Sequence, residues 1–229
     1  MSPVPLTVIV PMLNEEDGIA AALAALRPLD AEIVAVDGGS SDKTVALAAP
    51  LSDQLLRSAR GRARQMNAGA AVAHGDILLF LHADTTLPPQ ADRLVAEAIA
   101  GGAYWGRFDV CIAGGSAWFP LIATLMNLRS RLTGIATGDQ AIFVRRATFA
   151  EVGGFADIPL MEDIVLSRRL RQLGRPACLR RKVTTSGRRW EQHGVLRTVV
   201  SMWWLRLRFF LGADPAKLAS EYGYAQETQ

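Results

Sequence analysis

The run Ile77-Leu78-Leu79-Phe80-Leu81 contains no polar side chain, and it constrains the fold more than any other segment. Successive side chains of an extended chain point to opposite faces, so an uninterrupted apolar run describes a strand covered on both sides. Strands of that kind belong to parallel sheets whose crossover helices pack on either face. The neighbouring patterns agree: Thr7–Val10, Glu32–Val36 and Gln54–Leu56 read as strands, with helical spacing over 15–26, 42–49 and 62–72 between them. Further on, Arg107–Cys111 and Ala141–Val144 read as strands, and Asp163–Leu173 as a helix that Gly174 stops. The expected fold class is α/β, a Rossmann-like, mostly parallel sheet with helices on both faces and a basic C-terminal helical segment. In such sheets ligands sit beyond the C-terminal strand ends, so the residues that close each apolar run carry the information.

Composition supports a folded chain rather than a disordered one: of 229 residues, 50% are hydrophobic and 21% charged. Cys111 and Cys178 lie far apart without metal-type spacing and are expected as buried free thiols. No basic flank precedes the apolar stretch Leu6–Leu13, and Arg197, Arg206 and Arg208 interrupt the longest late apolar stretch. A cytoplasmic protein is therefore expected, one that touches the inner face of the membrane at most peripherally. The net charge of +3 hides an asymmetry: residues 167–229 carry 13 basic and 4 acidic residues, whereas residues 1–166 carry 12 and 18. An acidic body suits metal chemistry, and a basic tail suits phosphate or anionic lipid. No nucleic-acid recognition motif accompanies the tail, and no nucleic-acid partner is expected.

The strand ends supply the candidate site. His82 and Asp84 follow the most apolar strand; on extended chain they would face one side, where imidazole and carboxylate can ligate Mn²⁺ or Mg²⁺. A packed histidine beside a solvated aspartate is the competing account. After the second strand, Asp37-Gly38-Gly39 offers a carboxylate for a nucleobase or ribose and, at Gly39, backbone that a ligand can approach; a tight turn with a helix cap explains it equally. Arg62 and Arg64 open a helix, where dipole and guanidinium both favour phosphate. Glu162-Asp163 at another helix start either complements the dipole or holds a general base. Arg188-Arg189-Trp190 pairs phosphate-binding arginines with a ring on which a sugar can stack, unless that ring belongs to the core.

These blocks in order, Val8-Ile9-Val10-Pro11 with Asn14-Glu15, Val36-Asp37 through Asp42, Asn67-Ala68-Gly69 with Gly75-Asp76, Leu81 to Asp84, Gly153-Gly154-Phe155 and Glu162-Asp163, span residues 6–173. They make the sequence resemble the family 2 glycosyltransferases, which have the GT-A fold. The resemblance implies a domain over 1–190 that binds a nucleoside-diphosphate sugar and a helical extension over 191–229. It places Pro11, Asn14, Glu15, Asp37, Gly39, Arg62, Arg64, Gln65, Glu162, Arg188, Arg189 and Trp190 around donor and acceptor. Asp84, with His82, falls in the metal motif, and Asp163 falls on the base for inverting transfer to a small-molecule or lipid-linked hydroxyl acceptor. Two positions depart from the family pattern: His82 replaces the first acid of the metal motif, and Gly38 replaces a second aspartate. Leu81–Thr85 and Gly187–Trp190 are similar to a small bacterial subgroup associated with arsenosugar biosynthesis. A sugar nucleotidyltransferase is the first alternative, disfavoured because no glycine follows the first strand until Gly18. A catalytically silent nucleotide-sugar-binding protein is the second, and His82 is its best support.

In the tail, Val195, Val199, Met202, Trp203, Leu205 and Phe209 make an apolar face with arginines interleaved. Packing on the domain is the favoured reading of that face, and an anionic membrane surface the other.

Overall fold

A computed structural model describes residues 5–223. Its strands are β1 (Leu6–Met12), β2 (Ala31–Asp37), β3 (Gln54–Arg57), β4 (Ile77–Phe80), β5 (Thr85–Thr86), β6 (Trp105–Ala113), β7 (Phe143–Arg145) and β8 (Ala177–Ser186). They form one sheet in the order β3-β2-β1-β4-β7-β6-β8-β5. The first four pair in parallel, as does β6 with β8; β7 is antiparallel to both neighbours, and β5 is antiparallel to β8. The chain reverses its strand order between β1 and β4, which opens a crevice at their C-terminal ends.

The apolar run of β4 is covered on both faces. Leu79 lies on one side with Val8, Val10 and Ile33, beneath Ile19 and Leu23 of α1 (Ile19–Ala24) and Val95 and Ile99 of α4 (Ala91–Ala100). Leu78 and Phe80 lie on the other side with Ile9, Val34 and Val36. There they meet Met66 of α3 (Arg62–Val72), Phe149 of α6 (Arg146–Glu151) and Leu166 and Leu170 of α7 (Glu162–Leu173). Helix α3 packs very close: a Cβ on Gly69 would stand 2.5 Å from Ile9 Cγ2. The first helix is shorter than its spacing predicts, because residues 14–16 are held by the first residue of α2 (Thr44–Ala48) and the loop before it. The Glu15 N–H donates to Thr44 Oγ1 at 2.7 Å and the Glu16 N–H to Asp42 Oδ2 at 3.2 Å.

Strand β6 is stitched to α5 (Phe119–Thr133) by one amide side chain. Asn127 Nδ2 donates to the Val110 carbonyl and its Oδ1 accepts from the Val110 N–H, at 3.0 and 2.8 Å, as a neighbouring strand would. Buried Arg107 pairs with Asp109, whose other oxygen accepts from Arg131 at 2.5 Å. The outer positions at the end of β6 face water, so Cys111 is exposed rather than buried as expected; Cys178 is half-buried, and both are free thiols.

The tail folds as α8 (Arg188–His193), α9 (Val195–Phe210) and α10 (Pro215–Glu221). Leu205 and Leu218 pack on Ile135, Leu160 and Ile164, with Phe209 against them. Val195 packs with Trp190 on Phe119 and Ala123 of α5. Much of the face read from sequence is therefore the packed one, but Trp203 from that set is 70% exposed. It joins Val200, Trp204, Leu207, Phe210 and Leu211 on a second, solvent-facing apolar side. Among the described residues no helix is long and apolar enough to cross a membrane.

Candidate active site

At the C-terminal ends of β1 and β2 the two loops bind each other. Asn14 adopts φ of 51°, its N–H donates to Ser40 Oγ and its Oδ1 accepts from the Ser41 N–H, both at 2.9 Å. Asp37 is buried and folds its own loop, accepting from the N–H groups of Gly39 and Ser40 at 3.0 Å. Gln65 Nε2 bridges the two strand ends, donating to the Met12 and Val36 carbonyls at 2.9 and 2.8 Å. That amide explains the glycine at 38, where a Cβ would approach Gln65 to 2.9 Å. Pro11 lies buried in β1 beyond the last residue paired to β4, so its missing N–H costs that ladder no bond.

Beside this loop pair, Glu15 reaches Arg188 Nη2 at 3.5 Å. Burial pushes the Glu15 carboxyl up; Arg188 opposes that, while the negative charges of Asp84 and Asp42 add to it. Glu15, Asp84 and Arg188 thus meet where β4, β8 and the first loop converge. The stretch 82–85 is a turn rather than extended chain, with the Thr85 N–H donating to the His82 carbonyl at 3.0 Å, so the same-side argument for His82 and Asp84 does not hold. Asp84 is exposed and accepts from Thr85 Oγ1 at 3.2 Å, whereas His82 Nδ1 stands 3.6 Å from Asp139 Oδ1. A Cβ on Gly138 would fall 2.4 Å from His82 Nε2, so the histidine needs glycine there.

His82 belongs instead with the start of α7. It lines a small recess with Met66, Phe80, Phe155, Glu162 and Asp163. Glu162 is buried against Arg62, Nε to Oε1 3.3 Å; burial pushes its carboxyl up, Arg62 opposes that, and Asp163 adds to it. Asp163 is half-buried and accepts from the Gly138 N–H at 2.9 Å. Burial also raises the Asp139 carboxyl, but His82, Arg62 and Arg206 outweigh it and hold it below its ordinary value. Asn14, Ala141 and Met161 all carry positive φ at this edge, a concentration of strain common at functional sites.

The predicted residues therefore form two adjoining groups joined by the turn after β4. Asn14, Glu15, Asp37, Gly39, Gln65, Asp84 and Arg188 make the first; Arg62, His82, Glu162 and Asp163 make the second. Arg64 points elsewhere, paired with Asp157 at 2.8 Å with both side chains exposed. Trp190 is half-buried against Phe119, and the Arg189 side chain lies outside the described residues. Asp139 joins this group without having been expected there, because its one signal in the sequence is a Gly-Asp pair preceding a strand.

No group of three or more His, Cys, Asp or Glu side chains is arranged to hold a metal among the described residues. A small divalent cation needs no such cage where one or two carboxylates share it with substrate phosphates and water. Asp84, with the Glu15 carboxyl close enough to feel its charge, fits that kind of donor set.

Residues 7–152 match the family described as Glycosyl transferase family 2. An undecaprenyl-phosphate 4-deoxy-4-formamido-L-arabinose transferase of Pseudomonas fluorescens is 34% identical over 63% of this chain and 48% of its own length. The corresponding transferase of Enterobacter is 29% identical over 61% and 47%. The chain spans about half the length of these curated relatives. Among solved structures, S. aureus TarS 1-349 in complex with UDP superposes with a TM-score of 0.66 at 19% identity, covering 79% of this chain and 60% of that one. Mannosyltransferase PcManGT from Pyrobaculum calidifontis, in complex with GDP-Man and Mn²⁺, gives 0.60 at 22% identity, covering 78% and 56%. These likenesses support the mostly parallel α/β architecture described above.

Proposed function

The chain belongs to glycosyl transferase family 2, and on that footing we propose an inverting transfer of a sugar from a nucleoside diphosphate to an acceptor hydroxyl, with Asp163 as base. The first group of residues receives the donor: the loops of Asn14 and Asp37 flank the nucleoside, with Asp84 and Arg188 at the diphosphate. Asp84 would hold a divalent cation there, which when bound would supply charge neutralisation on the diphosphate. Asp163 accepts the acceptor proton as the acceptor oxygen bonds to the anomeric carbon and the bond from that carbon to the diphosphate oxygen breaks. The attack comes from the face opposite the leaving group, so the anomeric configuration inverts.

The observation that carries this reading is the setting of Asp163. One oxygen is fixed by the Gly138 N–H at the mouth of a recess whose buried neighbour, Glu162, is held by Arg62. The other oxygen accepts from the Ile164 N–H at 2.7 Å, so both ends of the carboxylate are held, and the lone pairs left on them meet a substrate proton in one orientation.

The acceptor is read as lipid-linked and presented at a membrane surface. Trp118, at the N-terminal cap of α5, and Leu121, Leu125, Leu128 and Leu132 on one face of it follow helical spacing and are 50–70% exposed. With the exposed side of α9 they offer apolar area that a folded domain does not ordinarily leave to water, next to the most basic part of the chain. The curated relatives are named for undecaprenyl-phosphate. The likeness of Leu81–Thr85 and Gly187–Trp190 to an arsenosugar-associated subgroup supports a small-molecule alcohol as the second acceptor class.

The test is nucleoside diphosphate release from a panel of nucleotide sugars with Mn²⁺ or Mg²⁺, with lipid-linked and small alcohols as acceptors. One donor should turn over, and Asp163→Asn should lower that turnover about 10²–10⁴-fold while donor affinity changes less than about twofold. Unchanged turnover in Asp163→Asn would remove the base assignment, and failure of every nucleotide sugar to bind would remove the donor reading.

A further inference from the structure

Asn67 of α3 joins two parts of the chain that lie 88 residues apart. Its Nδ2 donates to the Phe155 carbonyl at 2.9 Å and its Oδ1 accepts from the Phe155 N–H at 3.0 Å, so one amide takes both backbone groups of one residue. The chain reaches that amide through Gly154, whose φ is 65° and where a Cβ would stand 2.8 Å from Asn67 Oδ1. Any larger residue at 154 would strain the turn and push the amide away. The Phe155 ring packs edge-on against Phe80, centroids 4.8 Å apart, and against Phe149 at 5.6 Å. Backbone and ring of Phe155 are both held.

Phe155 lines the recess that contains Glu162 and Asp163, as does Met66 of α3. One turn before Met66, Arg62 Nε stands 3.3 Å from Oε1 of the buried Glu162. Helix α3 therefore grips the segment that carries the proposed base twice, at Phe155 and at the residue next to Asp163. Between those grips Gln65, on the same helix, holds the ends of β1 and β2, where the nucleoside is proposed to sit. The bonds to Asp163 from Gly138 and Ile164 orient its carboxylate locally but do not set its distance from the donor. Helix α3 spans that distance, and it is fixed to the sheet by its close approach at Gly69.

We infer that Asn67, together with Arg62, is a positioning residue: the pair sets Asp163 against the donor-binding strand ends and touches neither substrate. The inference rests on the transferase reading above and deepens it. It also moves Arg62 from the phosphate, where a place at a helix start suggested it, to the base. Displacing a catalytic group by about 1 Å can cost a hundredfold in rate, so such ties matter far from the reacting atoms.

Calorimetric titration with UDP and GDP, amide hydrogen exchange and steady-state kinetics on the full chain test it together. In Asn67→Ala the Phe155 N–H should exchange at least about tenfold faster, while affinity for the diphosphate that binds stays within about twofold. Its kcat should fall about 10–100-fold with little change in the donor KM. Asn67→Asp keeps the acceptor for the Phe155 N–H but loses the donor for its carbonyl, and should fall between. Arg62→Gln should show the same split between kcat and KM, and Arg62→Lys should recover part of it. Thr7→Val, which removes hydrogen bonds to Glu32 and from Gly75 at the opposite edge of the strands, should lower the urea midpoint and leave kcat unchanged. A parallel loss of kcat in Thr7→Val would mean that turnover merely follows stability, and would overturn the positioning role. Diphosphate affinity lost with kcat would place the pair at the donor and overturn it equally. Unchanged exchange at Phe155 overturns it even where no donor turns over. Full turnover in Asp163→Asn would remove the base and with it what α3 positions, whereas turnover lost in Asp163→Asn and kept in Asn67→Ala would leave the base and overturn this inference alone.

Discussion

The half of this molecule proposed to receive the donor and the half proposed to receive the acceptor handle their polar and apolar groups in opposite ways. Around β1–β4 the polar groups satisfy one another: Asn14 with Ser40 and Ser41, Asp37 with its own loop, Gln65 with two strand ends. At the far edge of the same strands, Glu32 accepts from Thr7 Oγ1 at 2.6 Å and Gln54 Nε2 at 2.7 Å. Around α5 and α9 the reverse holds, with two apolar stripes facing water and two buried nitrogens of Arg129, Nε and Nη2, lacking hydrogen-bond partners among the described residues. A nucleotide-binding framework that is complete in itself is pre-organised and loses little entropy when ligand arrives. The acceptor half reads as a surface whose missing contacts come from outside the chain.

The comparison breaks first at Asp84, if the donor half does not depend on a cation. Asp84→Asn should lower metal-dependent turnover at least about 100-fold, about 3 kcal/mol, and move the Mn²⁺ optimum to higher concentration. An unchanged Mn²⁺ dependence would detach Asp84 from the diphosphate. Next comes Glu32, which tests whether the donor half is held by its own polar groups. Burial alone would raise its carboxyl, but the Thr7 hydroxyl, His74 and Gln54 outweigh that and lower it from 4.5 to about 2. The folded value is the depressed one, so the contribution is fully present above about pH 4.5 and is lost as pH falls towards 2. It amounts to about 3 kcal/mol at neutral pH. Urea unfolding of Glu32→Gln should show a deficit of that order at pH 7 and almost none near pH 2; a deficit independent of pH would mean packing rather than charge.

A smaller effect tests the joint between the halves. In Gly138→Ala the new Cβ must displace the His82 ring, because the two would otherwise lie 2.4 Å apart. About 1–3 kcal/mol of stability should go with it, read by urea unfolding. Turnover should fall more than donor affinity, since the Gly138 N–H positions Asp163. A fall in donor affinity as large as the fall in turnover would mean that the two groups act as one.

The same contrast explains what could be read from sequence. The donor half declares itself because strands covered on both faces must be apolar throughout, as β4 is, and because its loops end in short runs of Gly, Asp and Ser. Arg62–Val72 emerges as α3 with the same bounds. Strand β8 is illegible for a local reason: Arg180 and Arg181 fall where the register against β6 jumps from Phe108↔Leu179 to Asp109↔Lys182, so the bulge interrupts any apolar alternation. Helix α5 hides because it is apolar on its outer side as well as at the buried Phe119 and Ala123, while Asn127 and Arg131 place polar groups on the side that meets β6, so no single apolar stripe marks it. Asp139 and Arg129 could not be singled out, because their meaning lies in neighbours far apart in sequence. The turn over 82–85 defeated the reading of His82 and Asp84 as one ligand pair, since the rule of alternate residues holds only while the chain stays extended.

The smallest change in stability carries the sharpest test of the acceptor half. Leu125 and Leu207 are 53% and 50% exposed on α5 and α9. If water is their only neighbour in the working protein, replacing both by Gln should move urea stability within about 0.5 kcal/mol and change nothing else. If a bilayer is their neighbour, stability should still hold while sedimentation with anionic phosphatidylglycerol vesicles at low salt falls sharply, because apolar contact and charge act together there. Raising the salt should weaken the unsubstituted protein's sedimentation, since the residues from 167 onward supply the attraction. Sedimentation that survives Leu125→Gln with Leu207→Gln but disappears with salt would make the contact electrostatic alone. The two stripes would then need a partner other than lipid, and the contrast between the halves would rest on Arg129.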